Sequence, residues 1–169
     1  MNVLETERLI LRRLTTDDAP FIFILVNDPS WLRFIGDRGV RTLDDARDYI
    51  RKGPIESYQT HGFGLYLTAL KDAGTPVGIC GLLKRDVLPD ADIGFALQPQ
   101  FAGFGFACES ACAVMAHAKI DFGLNRVVAV TNPDNLGSIR VLEKLGFKFE
   151  RMIRMTADAD EIKLFGCSI

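Results

Sequence analysis

The chain has 169 residues with a formal net charge of −2, and 48% of its residues are hydrophobic and 25% charged. These values suit one globular domain with a sizeable core, and we predict a single domain over residues 1–169. No basic block supports bulk nucleic-acid binding, and no apolar run reaches the roughly 18 residues of a membrane span. The N-terminal segment carries acids and lacks the apolar centre of a secretory signal, so we expect a cytoplasmic protein.

Cysteine and histidine residues give no metal-binding pattern. The four cysteines, Cys80, Cys108, Cys112 and Cys167, form no CxxC pair, and the two histidines stand far apart in the sequence. An apolar core of this size does not require disulfides, so we interpret the cysteines as reduced, small apolar residues. We therefore expect no metal ion.

The first 60 residues predict a strand and two helices. Residues 7–14 alternate apolar and polar side chains, as a half-buried strand does. A helix capped within Thr15–Thr16 follows and ends near Pro29. Thr42 caps a second helix, with an acidic residue three positions later in the place of a capping box. The pair Gly53–Pro54 is expected to interrupt this second helix.

Three strands follow in close succession. Residues 64–70, 77–84 and 92–97 have strand-like periodicity and are separated by turn-forming residues. Short connections of this kind join antiparallel neighbours, so we predict an antiparallel meander.

The remaining third of the chain alternates helices and strands. A helix is predicted over residues 106–122, and the β-branched stretch 126–131 reads as a centrally buried strand. Another helix begins near Asn135 and ends at a glycine. Residues 147–154 and 161–167 form two closing strands.

The most informative stretch is 100–107, which joins the third strand of the meander to the helix. A strand that runs through a glycine turn into a helix brings unpaired N–H groups and the positive end of a helix dipole together. Such a site binds bulky anions, including pyrophosphate, and Gly103 and Gly105 permit a close approach. The Rossmann pattern GxGxxG fails at Cys108, and the Walker pattern is absent. The stretch instead has the form Q-x-x-G-x-G-x-A.

Three stretches in order along the chain match the pattern of one family. Residues 7–12 read ERLILR, residues 92–111 begin DIGFAL and contain the glycine turn, and residues 132–147 read NPDNLGSIRVLEKLGF. They resemble the TERLxLR opening, the E/DIGYxLxPxxxGxGxAxEA core and the NxxNxxSxxVLEKLGF close of the GNAT superfamily of N-acetyltransferases. Within it they look like the RimJ/RimL-type (ribosomal-protein-alanine acetyltransferase-like) branch.

The resemblance implies an α/β (α+β) architecture, the GNAT fold. Its mixed, mostly antiparallel central sheet would have about seven strands, flanked by about four helices, and would splay between the fourth and fifth strands. It also implies an acetyl-CoA-dependent N-acetyltransferase without a metal. The acetyl group would pass to a primary amine, either a protein N-terminus or a small molecule, by direct attack of the amine on the thioester.

The resemblance places acyl-CoA in the splay between the two strands. The pyrophosphate would take backbone N–H groups from the glycine turn, and the pantetheine arm would pair with the end of residues 92–97 as an added strand would. The implied cofactor-binding residues are Phe95, Ala96, Leu97, Gln100, Gly103, Phe104, Gly105, Phe106, Ala107, Asn132, Asn135 and Ser138.

Acetyl transfer to an amine requires a proton acceptor, a donor facing the thioester oxygen and a proton source for the thiolate. Asp92 is the candidate base, directly or through water, because the family pattern holds an acid there. The alternative is an acid at a strand edge that only pairs or is solvated. Ser138 is the candidate acid, and its alternative is a helix hydroxyl bonded to backbone. A backbone N–H near Ala96 or Leu97 would face the thioester oxygen.

The sequence departs from the family pattern at two places. Many members carry a tyrosine acid where this chain has Leu142. Members often have a basic residue in the glycine loop, where this chain has Ala102 and Phe104. Backbone N–H groups would then carry more of the pyrophosphate binding, or the phosphates would draw on Arg140 or Lys144. Either of these side chains could equally be solvated.

The acceptor pocket is expected from the first helices, the linker of residues 31–40 and the last hairpin. Aromatic and aliphatic residues that could line it, or belong to the ordinary core, are Trp31, Phe34, Ile35 and Phe63. Charged residues that could select the acceptor are Arg33, Asp37 and Arg38. Nothing in the sequence names the amine or decides whether the chain forms a homodimer.

Two other classes of function stay open at this point. A non-catalytic acyl-CoA-binding or sensing module could keep the fold, and the missing tyrosine and loop cation favour it. A purely structural interaction protein would not bind coenzyme A, and the glycine turn argues against that class.

Overall fold

One mixed sheet organises the structure, a computed structural model that describes residues 2–169. Within these residues the sheet has eight strands in the order β1-β2-β3-β4-β5-β6-β8-β7. The strands are β1 Asn2–Glu5, β2 Leu9–Arg13, β3 Leu65–Leu70, β4 Pro76–Leu83, β5 Asp92–Leu97, β6 Arg126–Thr131, β7 Lys148–Ile153 and β8 Ile162–Ser168. All neighbours are antiparallel except β5 and β6, which run parallel.

Six α-helices in the described residues cover the two faces of the sheet. They are α1 Ala19–Val26, α2 Pro29–Phe34, α3 Leu43–Ile50, α4 Glu56–His61, α5 Phe106–Ile120 and α6 Leu136–Lys144. Short 3-10 turns precede α1 and follow β5, and a π-helical segment, Arg51–Ile55, joins α3 to α4.

Alternation along β3 shows how the two helical layers are built. Leu65, Leu67 and Ala69 pack with α1, α2 and α3 on one face. Tyr66, which is 1% exposed, points to the other face and joins α5 and α6. Because successive side chains of a strand point to opposite faces, one short stretch supplies both cores.

The predicted GNAT fold class is confirmed, and so is the antiparallel meander, formed by β3, β4 and β5. The predicted splay lies between β5 and β6, the fourth and fifth strands of the prediction. The sheet gains an eighth strand, β1, which pairs with β2 at the sheet edge. Its four residues are too short and too exposed to give a periodic signal.

Of two predicted features of the helices, one needs correction and the other is refined. The linker predicted from residue 31 instead contains most of α2, because Asp28 caps a new helix by accepting from the Ser30 N–H, with Pro29 at the first position. Gly53–Pro54 does interrupt the α-helix, which ends at Ile50 and resumes at Glu56, but the connection is helical and not a loop. The backbone widens into a π-helical segment there, which accommodates a proline that a regular α-helix excludes.

Candidate active site

A cleft opens in the middle of the sheet where β5 and β6 part. In the described chain the two strands share one paired position, Asp92 beside Val128, and the Val128 N–H donates to the Ala91 carbonyl at 3.0 Å. Beyond that point toward their C-terminal ends the strands separate. A cavity of about 490 Å³ fills the gap. It is lined from both faces of the sheet, by Trp31 of α2 and by Ser138 and Leu142 of α6.

The open edge of β5 presents unpaired backbone groups to this cleft. The Gln98 N–H donates to the Val77 carbonyl at 2.9 Å, so even-numbered residues of β5 bond to β4. Backbone direction alternates along a strand, so the N–H groups of Ile93, Phe95 and Leu97 face β6. Ile93 belongs to the single bridge with Val128, and the N–H groups of Phe95 and Leu97 face the cleft beyond it. A backbone N–H near Ala96 or Leu97 was predicted to face the thioester oxygen. Of these two groups only the Leu97 N–H faces the cleft, because the Ala96 N–H faces β4.

Asp92 lies at the point where the strands part and lines the cavity. It is 1% exposed, and its Oδ1 atom is 3.4 Å from Arg85 Nε. This separation brings the charges together without a hydrogen bond, so Oδ1 is buried without a hydrogen-bonding partner among residues 2–169. Burial raises the pKa of Asp92 to about 6, against the opposing effect of Arg85. A carboxyl group with this pKa can exchange protons near neutral pH.

The start of α6 brings three predicted residues to the opposite wall of the cleft. Asn132, Asn135 and Ser138 all line the cavity. Asn135 Oδ1 caps α6 by accepting from the Ser138 N–H at 3.2 Å, and Asn132 Oδ1 accepts from the Asp134 N–H at 2.9 Å. The amide oxygens therefore shape the turn, which leaves the side-chain NH₂ groups for a ligand. The Ser138 hydroxyl forms no hydrogen bond within the described residues.

The glycine loop lies just beyond the C-terminal end of β5. Gly103 and Gly105 have φ angles of +85° and +83°, the left-handed region that glycine adopts without strain. Gly105 caps the 15-residue helix α5, and no side chain caps its first N–H groups. These groups, with the dipole of α5, give the helix terminus the features that favour an anion.

The residues of the loop differ in exposure. Phe104 is 59% exposed and stacks on the buried Phe106 at 5.8 Å between ring centroids. Gln100 is exposed, and Ala107 is half-buried at the start of α5. The cavity lining includes Phe95 but not Ala96, Leu97 or the loop itself. The loop is a separate element at the end of the cleft.

An ion pair that the sequence analysis missed holds the loop against β2. Arg8 Nε donates to Glu109 Oε2 at 2.7 Å, and Arg8 Nη1 donates to the Phe104 carbonyl at 2.9 Å. Glu109 Oε1 also accepts from the Thr6 hydroxyl at 2.6 Å and from the Arg8 N–H at 2.9 Å. Burial acts to raise the pKa of Glu109, but the bonds from Thr6 and Arg8 outweigh it and lower the pKa.

This arrangement places the Arg8 guanidinium directly against the glycine loop. Its guanidinium lies 4.6 Å above the centroid of the Phe106 ring and contacts the place where a side chain at Gly105 would stand. Arg8 and Glu109 both stood within the quoted family motifs. No local pattern indicates that they contact one another, because 101 positions separate them.

We predict that Glu109→Gln weakens acetyl-CoA binding by roughly threefold to tenfold, because it removes the charge that orients Arg8 against the loop. Calorimetric titration with acetyl-CoA measures the effect. Glu161→Gln is the matched control, since it removes an exposed partner of Arg154 far from the loop and should leave the affinity unchanged. Equal affinities for the two variants would contradict a positioning role for Glu109.

The far side of the cavity holds most of the predicted acceptor residues. Trp31, Phe34 and Ile35 line it, as do Arg33 and Arg38. Asp37 instead pairs with Arg41 at the surface.

Phe63, the other predicted substrate-binding residue, does not line the cavity. Its ring packs edge-on against Phe122, at 5.2 Å between centroids, and stacks on His61. It therefore belongs to the core around α5.

Arg140 and Lys144, the alternative phosphate ligands, are exposed on α6, and Arg140 Nε donates to the Leu136 carbonyl at 3.3 Å. Leu142 is buried and presents an apolar surface where many family members would carry a phenol. No residue of the described chain thus replaces the tyrosine at that position.

Comparison with known proteins decides the family. The family model described as "Acetyltransferase (GNAT) domain" matches residues 8–148. The chain belongs to the GNAT acetyltransferase family. The Uncharacterized N-acetyltransferase YoaA of Bacillus subtilis (strain 168) is 30% identical over 154 residues, which cover 90% of this chain and 86% of YoaA. Homologues named N-acetyltransferase, together with the GNAT domain, identify the protein as an acetyltransferase.

Solved GNAT structures share the fold. An acetyltransferase from Agrobacterium tumefaciens str. C58 superposes with a TM-score of 0.81 at 24% identity, covering 97% of this chain and 92% of that chain. RimL, a ribosomal alpha-N-protein acetyltransferase in complex with coenzyme A, superposes with a TM-score of 0.84 at 21% identity. That match covers 100% of this chain and 98% of RimL.

No helix within residues 2–169 is both long and apolar enough to cross a membrane. No cluster of three or more His, Cys, Asp or Glu residues there could hold a metal ion.

Proposed function

We propose that this GNAT acetyltransferase is an acetyl-CoA-dependent N-acetyltransferase of the RimJ/RimL type that acetylates a primary amine by direct attack on the thioester. One observation carries the proposal. The buried carboxyl group of Asp92 lies where β5 and β6 part, between an unpaired strand edge and the start of α6. The opening motif and the closing motif around α6 support the branch.

The chain offers acyl-CoA three groups of contacts along the open end of the sheet. The N–H groups of Phe95 and Leu97 suit a pantetheine arm that pairs as an added strand. The N–H groups of Gly103 to Ala107 suit the pyrophosphate, with Arg8 behind the loop in place of a basic residue within it. The side-chain NH₂ groups of Asn132 and Asn135 face the same cleft. When bound, acetyl-CoA supplies the acyl group as a thioester.

The chemistry assigned to the protein is the handling of two protons. An amine attacks only when neutral, and Asp92, with a pKa of about 6, would accept its proton directly or through water. The N–C bond forms as the C–S bond breaks, and the Leu97 N–H stabilises the charge that develops on the thioester oxygen. The Ser138 hydroxyl is proposed to pass a proton to the departing sulfur while it takes a replacement proton from water. Trp31 and Phe34 form the acceptor wall.

Two measurements on the intact protein test this function. Calorimetric titration with acetyl-CoA should give a dissociation constant in the micromolar range or tighter, and thiol release should appear with at least one member of a broad amine panel. A sensing module would bind acetyl-CoA and release no thiol above the rate without amine. An absence of binding at millimolar acetyl-CoA would reject both the enzyme and the sensor.

A further inference from the structure

Several hydrogen-bond donors line the part of the cavity that is proposed to hold the amine substrate, and they have no hydrogen-bond partner there among the described residues. Arg33, Arg38 and Arg85 all line the cavity. Only Arg85 has an ion-pair partner in the described chain, and that partner is Asp92. Arg33 and Arg38 are exposed, and the Arg33 guanidinium lies 4.7 Å from the centroid of the Phe34 ring.

Trp31 adds a fourth donor to this side. It is 5% exposed and lines the cavity, yet its Nε1–H is buried without an acceptor among residues 2–169. A buried indole N–H normally has a hydrogen-bond partner, because leaving it unpaired costs free energy. Because Trp31 lines the cavity, a ligand bound there could supply that acceptor.

Few carboxylates line the same part of the cavity. Besides Asp92, the only carboxylate that lines the cavity in the described residues is the exposed Asp160. Asp37, next to Arg38 in sequence, is held by Arg41. The cavity lining therefore combines the buried carboxyl group of Asp92 with three arginines and one further, exposed carboxylate.

We propose that the acceptor substrate is an amine that carries a carboxylate close to the reacting nitrogen. The amine would lie at Asp92, while the carboxylate would accept from Arg33, Arg38 and the Trp31 indole. Planar guanidinium groups suit this role because they bind carboxylates through paired hydrogen bonds. The inference rests on the proposed acetyl transfer and narrows it to one class of acceptor.

The rest of such an acceptor has room to extend. A second groove of about 820 Å³ adjoins the cleft and shares Arg38, Tyr49 and Arg85 with it. Of the three acids that line this groove, Asp45 accepts from the Thr42 N–H in the capping box of α3 and Asp48 pairs with Arg51, while Glu56 is exposed. The carboxylate could therefore belong to a free amino acid or to an acidic side chain near a peptide N-terminus, and the test separates these sources.

The test compares matched acceptors at saturating acetyl-CoA. One pair is a free amino acid and its carboxamide, and the other is a peptide amide with glutamate at its second position and the same peptide with glutamine. A polyamine serves as a purely cationic acceptor. In at least one pair, kcat/KM should be tenfold or more higher for the carboxylate member, as expected for hydrogen bonds to a charged group.

Variants tie the preference to the named donors. The double variant Arg33→Gln with Arg38→Gln should bring the two members of the pair within about twofold, and Trp31→Phe should reduce the preference by a few fold, mainly through KM. Acetyl-CoA affinity should stay unchanged in both. Arg151→Gln, an exposed arginine on β7 outside the cavity, is the matched control and should keep the full preference.

Three results would overturn the inference. Equal kcat/KM for both members of each pair, or a preference for the polyamine, would reject the carboxylate while leaving acetyl transfer intact. A preference retained in the double variant would reject these arginines as its source. Acetyl-CoA binding without thiol release for any acceptor would reject the proposed function and the inference with it.

Discussion

Asp92→Asn should lower kcat/KM for amine acetylation by roughly 10² to 10⁴-fold while making the protein more stable at neutral pH. The loss follows because the amide cannot accept the proton of the attacking amine. Acetyl-CoA affinity should stay close to that of the wild type, since Asp92 is proposed to serve the amine rather than the cofactor. Steady-state kinetics and calorimetry measure the two effects separately.

The pH dependence of the wild type follows from the same group. The base must be ionised, so kcat/KM should rise with pH through about 6, the pKa of Asp92, and then level off. An amine acceptor adds a second rise near its own pKa, at about 8 for a peptide N-terminus. The lower rise should disappear in Asp92→Asn, and the upper one should remain.

Asp92→Asn is expected to raise the stability of the protein although it lowers turnover. The folded pKa of about 6 lies above the ordinary value of 3.8, so between these values the folded state binds more protons than the unfolded state. The contribution of Asp92 to stability is therefore favourable below about pH 4 and is lost as the pH rises toward 6. Asparagine removes this loss, and the free energy of unfolding at pH 7 should rise on the order of 1 to 3 kcal/mol.

Asp90→Asn is the matched control for these measurements. Asp90 lies two residues away but pairs with Arg126 at 3.2 Å outside the cavity. This variant should keep full turnover and gain no stability. Thermal unfolding between pH 4 and pH 8, followed beside turnover, checks both variants. Full turnover in Asp92→Asn would show that Asp92 is not the base, and a lower stability would show that its carboxyl group is satisfied in the fold.

Local signals in the sequence were enough for most of the fold. Thr42 and Asn135 cap the helices that they were predicted to cap, and the β-branched residues of β6 lie in the middle of the sheet. These features depend on residues within one or two turns of each other, so the chain displays them directly. Asp28 and Pro29 were interpreted as the end of the first helix, but the same residue types also cap and begin a helix, and here they begin α2.

Contacts between distant segments could not be predicted in the same way. The Arg8–Glu109 pair and the position of Phe63 depend on which elements pack together, and no local pattern specifies that packing. The sequence identified Asp92 as an acid at a strand end. Its burial, and hence its raised pKa, arises from the splay of β5 from β6 and the helices around it. The hydrogen-bond donors that line the proposed substrate part of the cavity likewise come from separate segments, namely α2, the residues after α2 and the connection between β4 and β5.

Gly103→Val should weaken acetyl-CoA binding tenfold or more, because a loop with an altered backbone no longer aims its N–H groups at the pyrophosphate. Gly103 has a φ of +85°, a conformation that a β-branched residue adopts only with strain. No heavy atom lies within 4 Å of a Cβ built at this position, so the predicted effect comes from the backbone and not from a clash. Calorimetric titration with acetyl-CoA measures it.

Gly74→Val provides the matched control for this substitution. Gly74 has a φ of +70°, and it too has no heavy atom within 4 Å of a built Cβ, but it lies in the turn between β3 and β4. Both variants should lose about 1 to 2 kcal/mol of stability from the same left-handed strain. Only Gly103→Val should also lose acetyl-CoA affinity. If the two variants bound acetyl-CoA equally well, the glycine loop would not be the pyrophosphate site, and the N-terminus of α5 would have to be reassigned.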